Sequence, residues 1–249
     1  MSGGASEKRG FSVVDAAVFT VLVYAATIAL QIYQPVTGGY FNVGESMIYL
    51  AALVSTPLVA GIAGGVGAAL ADLSTGYAIF APATLVIKFA EGYVAGVLAR
   101  RLKKYHGTAH SAVVVASYAA AFITVSATLW AGGIYIGPSH WLVFTFEPPY
   151  VEVSLAVWIA VGVFLASLFA IVLLRRYLHS GEVAALAAAG SIMVLGYFLY
   201  EFFVSNPLTG REPIGAILEV PVNIGQVVAG ISIGVPLAAW LRRAGYVRE

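Results

Sequence analysis

The chain has no cysteine and very little charge. Without cysteine there is no disulfide, no thiolate metal site and no cysteine nucleophile, and the redox compartment stays open. Only 10 % of its 249 residues are Asp, Glu, Lys or Arg, where soluble domains carry about 25 %. That is too little charge to cover a water-soluble globule. The net charge is +1, which implies no nucleic-acid partner. Motifs are missing too. No Gly-rich loop ends in Gly-Lys-Ser/Thr, so the chain carries no phosphate cradle of that kind and no ATP-driven motor of its own. His106, His110, His140 and His179 do not share metal-ligand spacing, and no His-Glu-x-x-His occurs. Neither a metal nor a cofactor is expected, and the chain does not read as an enzyme.

What remains is apolar. AVILMFWYC make up 60 % of the residues and the mean hydropathy is +0.90. The apolar runs are continuous, unlike the alternating segments of about ten residues in an outer-membrane barrel. The pattern predicts an all-α, polytopic transmembrane bundle with helices over about 11–33, 45–60, 61–78, 82–100, 111–134, 152–174, 183–204 and 220–241. The first apolar stretch follows Lys8 and Arg9 with no small-residue cleavage site, so it reads as a retained span. Whether 45–78 is one span or two is decided by the Lys/Arg distribution, because cytoplasmic loops carry the positive excess. With two spans, Lys8/Arg9, Arg100/Arg101/Lys103/Lys104, Arg175/Arg176 and Arg242/Arg243/Arg248 fall on one side: eleven of the 13 basic residues. The expectation is therefore eight helices in the cell membrane with both termini cytoplasmic. The loops near 34–44, 75–81, 137–152 and 205–219 then lie outside. The Gly- and Ala-rich run from Ala60 to Ala68 marks a place where helix backbones approach closely.

Ionisable side chains inside spans cost about 2.5–3.5 kcal/mol each at mid-membrane, so they usually face an interior cavity. Lys88 and Glu91 are three apart and share a helix face, and Thr84 extends that stripe by one turn. Asn223 and Gln226 repeat the spacing behind Pro221, and Tyr197 and Glu201 lie four apart. Asp72 ends the third helix before Gly76 and Tyr77, and Glu45 starts the second. At about 1.5 Å per residue these groups come to one depth near the outer ends of their helices. They predict a small-molecule cavity opening outward. Lys88 with Glu91 or Asp72 also reads as an ion pair that fixes helix register, and Asn223 with Gln226 as interhelical hydrogen bonding. Trp141, Phe144, Phe146 and Tyr150 read as an interfacial aromatic belt.

Asn42-Val43-Gly44-Glu45 through Gly61, the stretch Gly67 to Tyr77, Ala81-Pro82-Ala83-Thr84-Leu85-Val86-Ile87-Lys88 and Glu91-Gly92 resemble the substrate-binding S components of energy-coupling factor (ECF) vitamin transporters. Leu195 to Glu201 and Pro221 to Gln226 are similar to that family as well. The resemblance implies high-affinity capture of a vitamin or precursor, of the riboflavin, thiamine or thiamine-pyrimidine class, from outside. It also implies delivery inward on a membrane T subunit driven by two ATP-binding-cassette ATPases. In such a pocket Glu91, Asn223 and Lys88 are expected to make the polar contacts with the ligand, and Tyr197 and Tyr77 to meet its ring. Glu201, Gln226, Asp72, Thr84 and Glu45 complete the set. Ala25 and Ala29 are similar to the Ala-x-x-x-Ala pattern that meets the T subunit. The family has six helices, so this chain divides into a tail (1–10), core helices one to four (11–110), an inserted hairpin (111–176) and the last two core helices with a C-terminal tail (177–249). The rival reading is a stand-alone proton-coupled transporter, with Lys88, Glu91 and Asp72 as the relay. A membrane enzyme or scaffold with structural polar residues is the third.

Overall fold

Apolar runs set the helices, and polar caps and prolines set where they begin. The computed structural model describes residues 10–34, 37–102, 120, 132–174 and 180–247. Helix α1 is Val13–Ala29, started by the Ser12 hydroxyl, which accepts the Asp15 N–H at 3.1 Å. Then come α2 (Glu45–Val54), α3 (Pro57–Ser74), α4 (Ala81–Leu102), α5 (Leu155–Leu174), α6 (Ser180–Tyr200) and α7 (Val220–Arg243). A π-helical turn, Glu201–Ser205, prolongs α6, and a 3-10 segment, Pro213–Leu218, leads into α7. Among the described residues four helical stretches are long and apolar enough to cross a membrane: Pro57–Ser74, Ala81–Leu102, Gly181–Leu208 and Pro213–Arg243. The protein is an all-α membrane bundle.

Residues 45–78 do form two helices, but the break lies at Ser55-Thr56 and not near residue 60. Thr56 accepts the Val59 N–H at 3.3 Å and Pro57 occupies the first turn, a strong start signal. Helix α2 is consequently only about 15 Å long, half the thickness of the hydrocarbon layer. It is an interior element: nine of its ten residues are buried, and α1, α3, α4 and α7 surround it. The helix expected over 111–134 lies almost wholly outside the described residues. Its last residues instead form a strand, because Gly132-Gly133 and the following residues pair antiparallel with 150–153.

The glycine-rich run belongs to α3 and supports close packing. A Cβ on Gly64 would sit 2.7 Å from the Lys88 carbonyl, and one on Gly65 would sit 2.6 Å from that of Leu85. Gly92 of α4 likewise rests against the Ala60 carbonyl. On its other side, α3 meets α1, where Gly67 approaches the Thr20 carbonyl. This contact fixes the depth of Lys88 relative to α2 and α3.

Short antiparallel pairs decorate the end of the bundle away from Arg100 and Arg242. They are β1 (Ile32–Tyr33) with β2 (Tyr40–Phe41), β3 (Gly132–Tyr135) with β6 (Tyr150–Val153), and β4 (His140–Trp141) with β5 (Phe144–Thr145). Trp141, Phe144, Phe146 and Tyr150 are exposed there. At the opposite, basic end, Arg100 donates to the carbonyls of Ala52 (3.4 Å), Gly96 (2.5 Å) and Ser55. Arg242 donates to the Leu53 carbonyl at 2.9 Å and pairs with Glu182 at 2.9 Å. The two guanidinium groups thereby satisfy carbonyls left open at the C-terminus of α2.

Candidate functional site

A cavity opens at the strand-bearing end, between the 37–44 loop and helices α3, α4, α6 and α7. It holds about 420 Å³ of non-atom space, its mouth included. Of the residues singled out in the sequence, Asp72, Thr84, Lys88, Tyr197, Glu201, Asn223 and Gln226 line it. Five segments had to converge for this. The shared depth follows from helix starts: Ala81-Pro82 begins α4 and Val220-Pro221 begins α7 at the same end. Glu201 reaches the wall from the π-helical turn, a distortion frequent at functional sites.

Three expected residues stand elsewhere. Glu91 is fully buried behind the wall, where its carboxylate accepts the Tyr49 hydroxyl at 2.7 Å and faces Lys88 at 3.5 Å. Glu45 is equally buried and ion-paired with Lys88. Tyr77 packs its ring on Tyr40, with centroids 4.3 Å apart. The reason is geometric. The Lys88–Glu91 face of α4 turns toward α2, so only Lys88, with its longer stem, reaches both the carboxylates and the cavity. Its ammonium lies 5.5 Å from the Tyr197 ring centroid, within cation–π range. Lys88 pairs with Glu45 and Glu91, and no ion pair with Asp72 forms.

Other lining residues are not among those expected to contact a ligand. Tyr40 of β2 donates to Asp72 at 2.6 Å. Burial, and then the neighbouring Asp72 carboxylate, push the Tyr40 hydroxyl well above the ordinary phenol value, so it stays a donor. Thr37 donates to Glu219, and a side chain on Gly39 would sit 3.0 Å from the same carboxylate. The loop backbone thus rests directly on Glu219. Asn42 donates to Gln226 at 2.6 Å, and Gln226 to Asn223 at 2.8 Å. Thr84 and the Tyr197 hydroxyl share a bond of 2.9 Å. Through Asp72 on α3, and Glu219 and Gln226 at the start of α7, the 37–44 loop is bolted to two walls of the cavity.

A family model for the S component of ECF-type riboflavin transporters matches residues 11–177, about two thirds of the chain. The chain belongs to that family. It is also 45 % identical over 83 residues to a Pyrococcus woesei protein described as an uncharacterized protein in gap 3'region, covering 33 % of this chain and 55 % of that relative. The chain thus spans about half the length of that curated relative. No solved structure matches it significantly. Within this S component, Ala25 and Ala29 lie on an exposed face of α1, four residues apart. Among the described residues no group of three or more His, Asp or Glu is placed to hold a metal ion. The string Gly230-Ile231-Ser232-Ile233-Gly234 has the spacing of a hydrolase nucleophile elbow. It lies inside α7, however, with Ser232 buried and Gly234 pressed against the Ser46 carbonyl, and that elbow requires a strand-to-helix turn.

Proposed function

We propose that this chain is the substrate-capturing subunit of an ECF-type vitamin importer. It takes a water-soluble vitamin or precursor, of the riboflavin, thiamine or thiamine-pyrimidine class, from the outer face. It then delivers the molecule inward on a T subunit driven by two ATP-binding-cassette ATPases. The observation that carries this reading is the polar cavity walled by α3, α4, α6 and α7 and closed by the 37–44 loop, in a chain of this family. Asp72, Lys88, Glu201, Asn223 and Gln226 contact the polar edges of the ligand, Thr84 assists, and Tyr197 contacts its ring. Glu45 and Glu91 hold Lys88 in place, and Tyr77 backs Tyr40. The grouping of eleven basic residues supports both termini being cytoplasmic and a cavity that faces outside. Residues 111–176 are the insertion into the family's core, and Ala25 and Ala29 supply a T-subunit contact.

A thermal-shift screen of the purified chain against a vitamin panel tests capture, because a ligand stabilises by an amount set by its excess over its dissociation constant. Uptake by cells with and without the T subunit and ATPases tests energising. Transport at full rate without them would favour a proton-coupled carrier instead.

A further inference from the structure

The cavity wall carries more carboxyl groups than cations. Asp72, Glu201 and Glu219 line it together with Lys88. Lys88, however, is already engaged from behind by Glu45 and Glu91. Among the described residues the other cation near the cavity is Arg211, which acts on Glu201. It is held by Thr209 at 2.9 Å and packed over Gly38 beside the loop, outside the lining. Five carboxyl groups therefore stand beside two cations, and a buried carboxylate is costly until a cation or hydrogen-bond donor meets it.

The free valences have a definite pattern. Asp72 Oδ2 and Glu201 Oε2 are buried without a partner, and their residues are 3 % and 1 % exposed. Ionised, both oxygens accept hydrogen bonds. Asn223 Nδ2 is a further unpartnered group on the cavity wall, on a residue 3 % exposed, and its orientation is set from a distance. The Gly44 N–H can only donate, so Asn42 must offer it Oδ1, at 2.8 Å. Asn42 then donates its amide to Gln226, which donates to Asn223 Oδ1. The end of this relay that is left for the cavity is an N–H₂.

Taking the ligand-capture reading as its base, the geometry points to a ligand that is a small organic cation. It donates hydrogen bonds to Asp72 and Glu201 and offers one acceptor to Asn223. A protonated amine or amidine on a flat heteroaromatic ring has this chemistry, and an uncharged flavin does not.

Two pyrimidines that differ in one group test the charge. 4-Amino-5-aminomethyl-2-methylpyrimidine carries an ammonium where 4-amino-5-hydroxymethyl-2-methylpyrimidine carries a hydroxyl. Titration of the full chain in detergent with both, with thiamine as a second cation and riboflavin as the uncharged flavin, gives the comparison. The expected result is that the ammonium compound or thiamine binds, and that the ammonium compound binds at least tenfold tighter than its hydroxyl twin. E201Q should reduce that preference at least threefold in protein that retains its helical circular dichroism, and an undiminished preference would remove Glu201 from the recognition. Equal or tighter binding of the hydroxyl compound, or binding of riboflavin alone, overturns the cation inference while leaving capture intact. Failure of all four to bind overturns both.

Discussion

Lys88 of α4 forms a buried ion pair with Glu45 at the first turn of α2, and the pair joins the cavity wall to the central helix. Removing one member of a buried pair leaves an uncompensated charge and costs about 3–5 kcal/mol. K88M should therefore lower stability by that order. The double variant E45Q/K88M should recover part of the loss, because Tyr49 still donates to Glu91. Denaturation of the purified proteins in one detergent checks both. Equal stability of the single variant and the wild type would remove the pair from the account.

The α3–α4 contact leaves no room for a larger side chain. On Gly64, the first added carbon would lie 2.7 Å from the Lys88 carbonyl. Overpacking of this kind costs about 1–3 kcal/mol. G64A should destabilise by roughly that amount, whereas an alanine at Gly137, which has open space around it but φ +99°, should cost less. Melting temperatures of the two variants give the comparison.

Asn42 works through Gln226 on Asn223. N42A frees Gln226 to turn over, so Asn223 no longer has a fixed donor end. The expected result is a loss of about 1–3 kcal/mol for the stranded polar groups, with a severalfold weaker response to whichever vitamin stabilises the wild type. Thermal shifts with and without that vitamin separate the two effects.

At the basic end, Arg242 bonds two partners at once, Glu182 and the Leu53 carbonyl. Lysine is a single point charge and cannot reproduce that fork. R242K should lose more than half of the stability that R242A loses, measured by the same denaturation.

If α1 meets the T subunit through Ala25 and Ala29, then A25L/A29L should abolish co-purification with that subunit. Ligand binding should stay unchanged, since neither residue lines the cavity. Intact co-purification would shift the contact to another face.

Residues on one helix were the readable part of this site. Lys88 with Glu91, Asn223 with Gln226, and Tyr197 with Glu201 are joined by helical spacing, and that spacing is local information. The pairing of Lys88 with Glu45 depends on how α2 packs on α4, which no spacing encodes. Tyr40, Asn42 and Glu219 sit in connecting segments without periodicity, so their roles emerge only when the 37–44 loop folds onto α3 and α7. The break at Thr56-Pro57 is set by a cap, and apolar residues on both sides of it hide its position in the sequence. Glu91 stands behind the wall, since a shared helix face does not say which member of the pair faces the cavity.

Helix α2 carries Glu45 at one tip and the carbonyls gripped by Arg100 and Arg242 at the other. Continuous i→i−4 bonding makes so short a helix stiff along its axis. It is a strut that cannot shorten, so axial displacement at the Lys88 end strains both arginine clasps together. A vacant and a filled cavity that differ in the position of Glu45 would also differ at the far side of the bundle.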